Sequence, residues 1–285
     1  MTNKFLIPVI PGPTPIHKLS GTTKVQMFVV LLVLSLMSFD LRILIPLFIV
    51  AMAALISLRP NWKIIAVLAG IIVLMNIFNM FLYWIANPAV GEYWNGGTRT
   101  ILFSFSTHYF VSLETLWYLL VRFIKMITSF MISMVFIQAI TPSELAAGLH
   151  SMKIPYKVCT VVSLAFRYIP DIGRDYDNIK ISLQARGVEL DKRRTGLFKR
   201  LKQMALILFP LIITAFDRIG NIANGMDLRG YGLRKDRTYY AEHPSTQTDK
   251  LVRWFTLVLL LFCVYWIVSR MIWPPATRMW FPFQV

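Results

Sequence analysis

Residues Trp62–Ala86 read WKIIAVLAGIIVLMNIFNMFLYWIA, a run of 25 residues with a single charge, Lys63, at its second position. As a helix it would be about 37 Å long at 1.5 Å per residue, enough to cross a hydrocarbon core of roughly 30 Å. Similar runs lie on both sides: about 24 to 39 and 41 to 58 upstream, 109 to 138 and 251 to 272 downstream. Over all 285 residues 56% are hydrophobic, above the roughly 45–50% of soluble domains, and mean hydropathy is +0.58. These numbers predict an all-α integral membrane protein with about five transmembrane helices. The first two runs are separated only by SFDLR and predict a tight hairpin turning at Asp40. Between the third and fourth, NPAVGEYWNGGTRTILFSFSTH is rich in Gly, Asn and aromatics, and predicts a loop at the membrane surface over about 87–108.

Thirty Lys and Arg against 14 Asp and Glu give a net charge of +16. In a polytopic membrane protein such an excess marks cytoplasmic loops rather than nucleic-acid binding. With the N-terminus inside, Lys4, Lys18, Lys24, Arg59, Lys63, Lys153, Lys157, Arg237, Lys250 and Arg253 fall on the inner side, and only Arg42, Arg99, Arg270 and Arg278 on the outer. The expected organisation is a cytoplasmic segment 1–23, four spans over 24–140, a cytoplasmic region 141–250, and a last span with an outer C-terminus over 251–285. The proline-rich start, MTNKFLIPVIPGPTPIHKL, does not have the apolar core of a signal peptide.

The region 141–250 holds 18 of the 30 basic and 11 of the 14 acidic residues, interleaved with long apolar stretches, which predicts amphipathic helices. Thr141, Pro142 and Glu144 form a capping-box pattern that starts a short helix. A second helix is expected from after Pro155 to about Val188, and a third from about Thr195 to Gly230, with Pro170 and Pro210 inside them. Their ends echo each other. Ile172, Tyr176, Ile179, Leu183 and Arg186 have the 4, 3, 4, 3 spacing of one helix face, and Ala215, Ile219, Ile222, Met226 and Arg229 repeat it 43 residues later. Each stripe ends in an arginine followed by a glycine, Gly187 or Gly230, at a helix C-cap position. Any cation satisfies a helix dipole, so two parallel constructions point further, to arginines presented to two similar receptors by bidentate contacts.

Chemistry of other kinds has little support. The nearest approach to a phosphate loop, GNIANGMD from Gly220, has no lysine or hydroxyl where phosphate and Mg²⁺ would need them. His17, His108, His150 and His243 are scattered and are read as surface or interfacial, and Cys159 and Cys263 lie on apolar segments with no metal-ligand spacing. Asp171, Asp175 and Asp177 could hold Mg²⁺ against a pyrophosphate, as in a membrane-embedded prenyl-type transferase; the plainer reading is a solvated helix face balanced by Arg174 and Lys180. Arg122 and Lys125 lie deep in the fourth apolar run with Glu114 two turns away, and are read either as an internal ion pair between helices or as part of a transport path, with Asn76 and Asn79 as weaker signals of the same kind. A stand-alone secondary transporter is the other alternative.

The ordered set HKL…TTK, TPSELAAGLHSMKIP, LAFRYIPDI, SLQARG, FPLIITAFDR and MDLRGYG resembles the transmembrane T-component of energy-coupling factor (ECF) transporters, the EcfT/CbiQ-like scaffold subunit of bacterial vitamin and metal-ion importers. The resemblance implies that the two long helices are coupling helices. Ala185, Arg186, Gly187 and Leu228, Arg229, Gly230 would then dock in two ABC-type ATPase subunits, which bind the ATP and Mg, while the scaffold carries no cofactor and no catalytic site. The apolar stripes would pack between the helices and against a small membrane-embedded S-component that binds the substrate. Two departures stand out: leucine replaces alanine at 228, and LSGTTK replaces the family's frequent Asp-Pro-Arg before the lysine.

Overall fold

A computed structural model describes residues 14–95, 97, 100–104, 109–188, 197–233, 246–272 and 280–282; the expectations for Lys4, Arg99, His108, Arg237, His243 and Arg278 lie outside the described residues. The chain forms two units, residues 1–152 with 242–285, and residues 153–241.

The first unit contains α1 (Gly21–Met37), α2 (Leu41–Ser57), α3 (Trp62–Ala86), α4 (Val90–Trp94), β1 (Ile101–Ser104), β2 (Phe110–Ser112), α5 (Leu113–Ala139) and α6 (Pro142–Ser151). It also contains the late helix Gln247–Ile272, numbered α9 below because two helices of the second unit precede it. The central element is α5, against which α1, α2, α3 and α4 all pack. Leu47, Ala51, Leu55, Ile65, Met131, Ile132 and Met134 make one buried cluster, and Leu44, Tyr118, Leu119 and Val121 another. Outside these seams the helices stay apolar: Val67, Ile71, Leu74 and Phe78 of α3 are each more than half exposed. A helix that is apolar all round, yet uncovered by protein, is one whose solvent is lipid. By length and composition Trp62–Ala86, Leu113–Ala139 and Gln247–Ser269 can each cross a membrane; α1 and α2, 17 residues each, are the shorter pair read from the sequence. A three-residue turn, Ser38–Asp40, joins that pair, but both helices lean on α5 more than on each other.

Two sequence expectations change here. The stretch 87–108 is more than a loop: it holds α4 and β1, and β1 pairs antiparallel with β2, whose residues had been assigned to the start of the fourth span. Glu114 also does not pair with the intramembrane cations. It accepts the Thr100 amide (3.0 Å) and hydroxyl (2.6 Å), and so ties the β1 end of this region to α5. Eight residues along a helix separate Glu114 from Arg122 by about 12 Å, too far for contact. Arg122 instead donates to Asn79 at 3.2 Å and lies 3.5 Å over the Tyr83 ring, whereas Lys125 donates to the Leu36 carbonyl at the end of α1 and lies 3.5 Å over Phe39. Neutral acceptors and aromatic faces thus hold both cations.

The second unit is the helix pair α7 (Tyr156–Ala185) and α8 (Leu197–Leu228), with Pro170 and Pro210 inside them. Among the described residues α7 buries only Cys159, and α8 only Gln203 and Ile207. By composition Gln203–Leu228 could also span a membrane, although its mean hydropathy, 1.6, is the lowest of the four candidate spans.

Candidate functional site

The two arginine endings fold identically. Arg186 is the C-cap of α7, and the next residue, Gly187, has φ +83°. The Val188 amide donates to the Leu183 carbonyl (3.1 Å) and the Gly187 amide to Gln184 (3.0 Å). In α8 the Tyr231 amide donates to Met226 (2.9 Å) and the Gly230 amide, with φ +68°, to Asp227 (2.9 Å). Each is the paired 6→1 and 5→2 bonding of a Schellman motif, which requires a left-handed residue and therefore favours glycine. Backbone amides take up the Leu183 and Gln184 carbonyls of α7 and the Met226 and Asp227 carbonyls of α8, so these bonds need neither arginine side chain. Both arginines are exposed. Leu228 is 90% exposed beside Arg229, where the first ending has Ala185.

Of the two stripes, Ile172, Tyr176 and Ile219 are exposed, whereas Ile179, Leu183, Ala215, Ile222 and Met226 are half-buried. Asp175 and Arg218, next to the stripes, join the two helices by an ion pair, with side chains 25% and 29% exposed. The Tyr156 and Tyr231 rings, 6.0 Å between centroids, bring the end of α8 to the start of α7. The helices therefore run in opposing directions, and their arginine ends point away from each other. Asp171 is paired with Arg174 at 3.3 Å. Guanidinium groups thus engage two of the three aspartates that a Mg²⁺-dependent transferase would use.

Another group of residues, which sequence reasoning did not bring together, lies in the first unit. Lys24 of α1 forms a 2.9 Å ion pair with Glu144 of α6, both side chains at most 5% exposed, and also donates to the His17 carbonyl. The same Glu144 oxygen accepts the Thr141 amide and completes the predicted capping box. Asp249 of α9 accepts the amides of Ser20 (2.9 Å) and Thr246 (3.0 Å), and Arg253 donates to Thr23 and Ser20. His17, read from the sequence as surface or interfacial, is buried between segments. Its Nε2 donates to the Gln138 carbonyl (3.1 Å), which leaves Nδ1 to accept from Thr14 (2.6 Å). Burial pushes its pKa below the usual imidazole value. The motifs HKL…TTK and TPSEL, far apart in sequence, thus form one buried polar joint. The signal for it was a lysine and a glutamate set among apolar and capping residues.

A helical unit with apolar faces uncovered by protein, followed by two amphipathic helices that each end in an exposed arginine, defines a membrane component. Residues 12–240 match the family described as Cobalt transport protein (CbiQ), and the chain belongs to that family. It is 26% identical over 273 residues to the Energy-coupling factor transporter transmembrane protein EcfT of Bacillus selenitireducens, covering 92% of this chain and 95% of that protein. The protein of the same name in Lactococcus lactis subsp. cremoris is 24% identical, with 93% and 98% covered. In Bacillus subtilis the identity rises to 32%, over 43% of this chain and 49% of the relative. The chain is a T-component of the energy-coupling factor type, a transmembrane scaffold subunit.

Proposed function

We propose that this scaffold, in a bacterial plasma membrane, couples two ABC-type ATPase subunits to a small membrane-embedded S-component for uptake of a vitamin, metal ion or similar micronutrient. Ala185, Arg186 and Gly187 enter one ATPase, and Leu228, Arg229 and Gly230 the other. The apolar stripes on α7 and α8 pack between the helices and against the S-component. ATP and Mg are bound by the ATPases, and the scaffold needs no cofactor of its own. The N-terminus is cytoplasmic and the C-terminus outside, which puts α7 and α8 on the same side as the ATPases.

The observation that carries this reading is the pair of matching helix ends, each closed by the same two backbone hydrogen bonds with its arginine exposed. A guanidinium inserted into a groove makes bidentate, charge-assisted contacts, and removing one such partner costs about 2–5 kcal/mol. The test is Arg186→Glu with Arg229→Glu in the full complex. The double variant should accumulate normally in the membrane and purify without ATPase subunits. Normal co-purification of both ATPases would overturn the proposal.

A further inference from the structure

The Asp175–Arg218 ion pair joins residues separated by 43 positions, the same interval that relates Arg186 to Arg229. Asp175 and Arg218 are therefore equivalent positions of the internal repeat, so α7 and α8 meet at a point each helix shares with the other. Each arginine lies eleven residues beyond it, 175 to 186 and 218 to 229, or about 16 Å along its own axis. Because the helices run in opposing directions, the two arms extend away from the contact with equal length, and on the order of 30 Å of axis separates the tips. The charge order is also inverted about this point: Arg174-Asp175 on α7 is answered by Asp217-Arg218 on α8.

We propose that Asp175 and Arg218 are positioning residues: their ion pair is the pin of a local two-fold arrangement, holding the crossing of α7 and α8 so that the two tips stay in one fixed spacing. The pair lies near the middle of the crossing, with the Tyr156–Tyr231 ring contact at one end of it. Among the described residues the two helices bury only Cys159, Gln203 and Ile207. Packing alone would leave the crossing free to slide by a helical turn, because an apolar stripe repeating at 3.6 residues fits its partner again one turn along. A single charge pair does not repeat, and so it selects one register, as polar residues do in coiled coils. The inference rests on the proposed docking of the two tips for its biological meaning, but its structural content does not depend on it.

The experiment measures the spacing directly. Spin labels on Ala185→Cys and Leu228→Cys, with Cys159 and Cys263 replaced by serine, report the tip-to-tip distance distribution of the full-length chain in lipid nanodiscs without any partner. The expected result is one narrow distribution with Asp175 and Arg218 present, loss of that single peak in Asp175→Arg and in Arg218→Asp, and its return in the charge-swapped double variant. Asp175→Glu should keep the peak. If a reversed-charge variant does not accumulate, Asp175→Asn is read in its place and should also lose the peak. A peak unchanged in the single variants, or one that the swap fails to restore, would overturn the proposal. If the distances behave as expected and Arg186→Glu/Arg229→Glu still co-purifies with ATPases, the docking reading fails and the pin stands.

Discussion

In the membrane unit, Lys24, Arg122 and Lys125 are each held by a neighbouring element: a carboxylate, an asparagine with a tyrosine ring, and a helix-end carbonyl with a phenylalanine ring. In the helix pair, Arg186 and Arg229 stand exposed at the ends of helices that bury very little. Both units use cations in their own assembly, Arg218 and Arg174 of the second pairing with Asp175 and Asp171, but at the helix ends the second leaves Arg186 and Arg229 exposed. Charge in the first unit therefore bears on stability, and charge at the tips of the second, under the proposed docking, on association. Mutations should separate the two.

The largest effect is expected at the buried joint. Lys24→Met strands the Glu144 carboxylate and should destabilise the membrane unit by about 3–5 kcal/mol, read as a fall in thermal unfolding temperature in mild detergent. Lys24→Met combined with Glu144→Leu should recover most of it; no recovery would mean the pair does more than neutralise itself. Gly21→Ala comes next. Its Cβ would overlap the Glu144 backbone carbonyl, so α1 and α6 must separate, at about 1–3 kcal/mol. In the second unit Gly187→Ala places a side chain at φ +83°, with about 1 kcal/mol of strain that hydrogen exchange should localise to the last turn of α7 while the membrane unit stays protected. The smallest effect is at His17. Its folded-state pKa is lowered, so the unfolded chain takes up the proton first, and stability is full above pH about 6.5 and declines as pH falls through that value. His17→Gln should flatten that decline, and an unchanged slope would assign it elsewhere.

Much of this was legible in the sequence for a physical reason. Long apolar runs and helix caps are local signals, so Trp62–Ala86 begins and ends as expected and Thr141, Pro142 and Glu144 form the capping box. The repeat located both arginine ends because helical spacing is regular. Pairings between distant residues were less legible. Lys24 and Glu144 are 120 residues apart, and the partner of Glu114, Thr100, lies in a stretch whose sequence reads as loop. The β1 strand escaped notice because four residues between glycine-rich and aromatic segments make too short an alternation. The Asp175–Arg218 pair was present in the 43-residue alignment, but the stripe was traced through apolar positions and passed beside it.

The Schellman endings assign two duties to adjacent residues. Glycine turns the chain, and the residue before it meets whatever lies outside. The side chain at 186 or 229 can thus be exchanged without unwinding the helix that displays it, and the same holds for the residue just before, alanine in one ending and leucine in the other. Such an ending behaves as a removable bit on a fixed shank: single substitutions could alter what each end presents, and the two ends could drift apart, while the scaffold behind them stays the same.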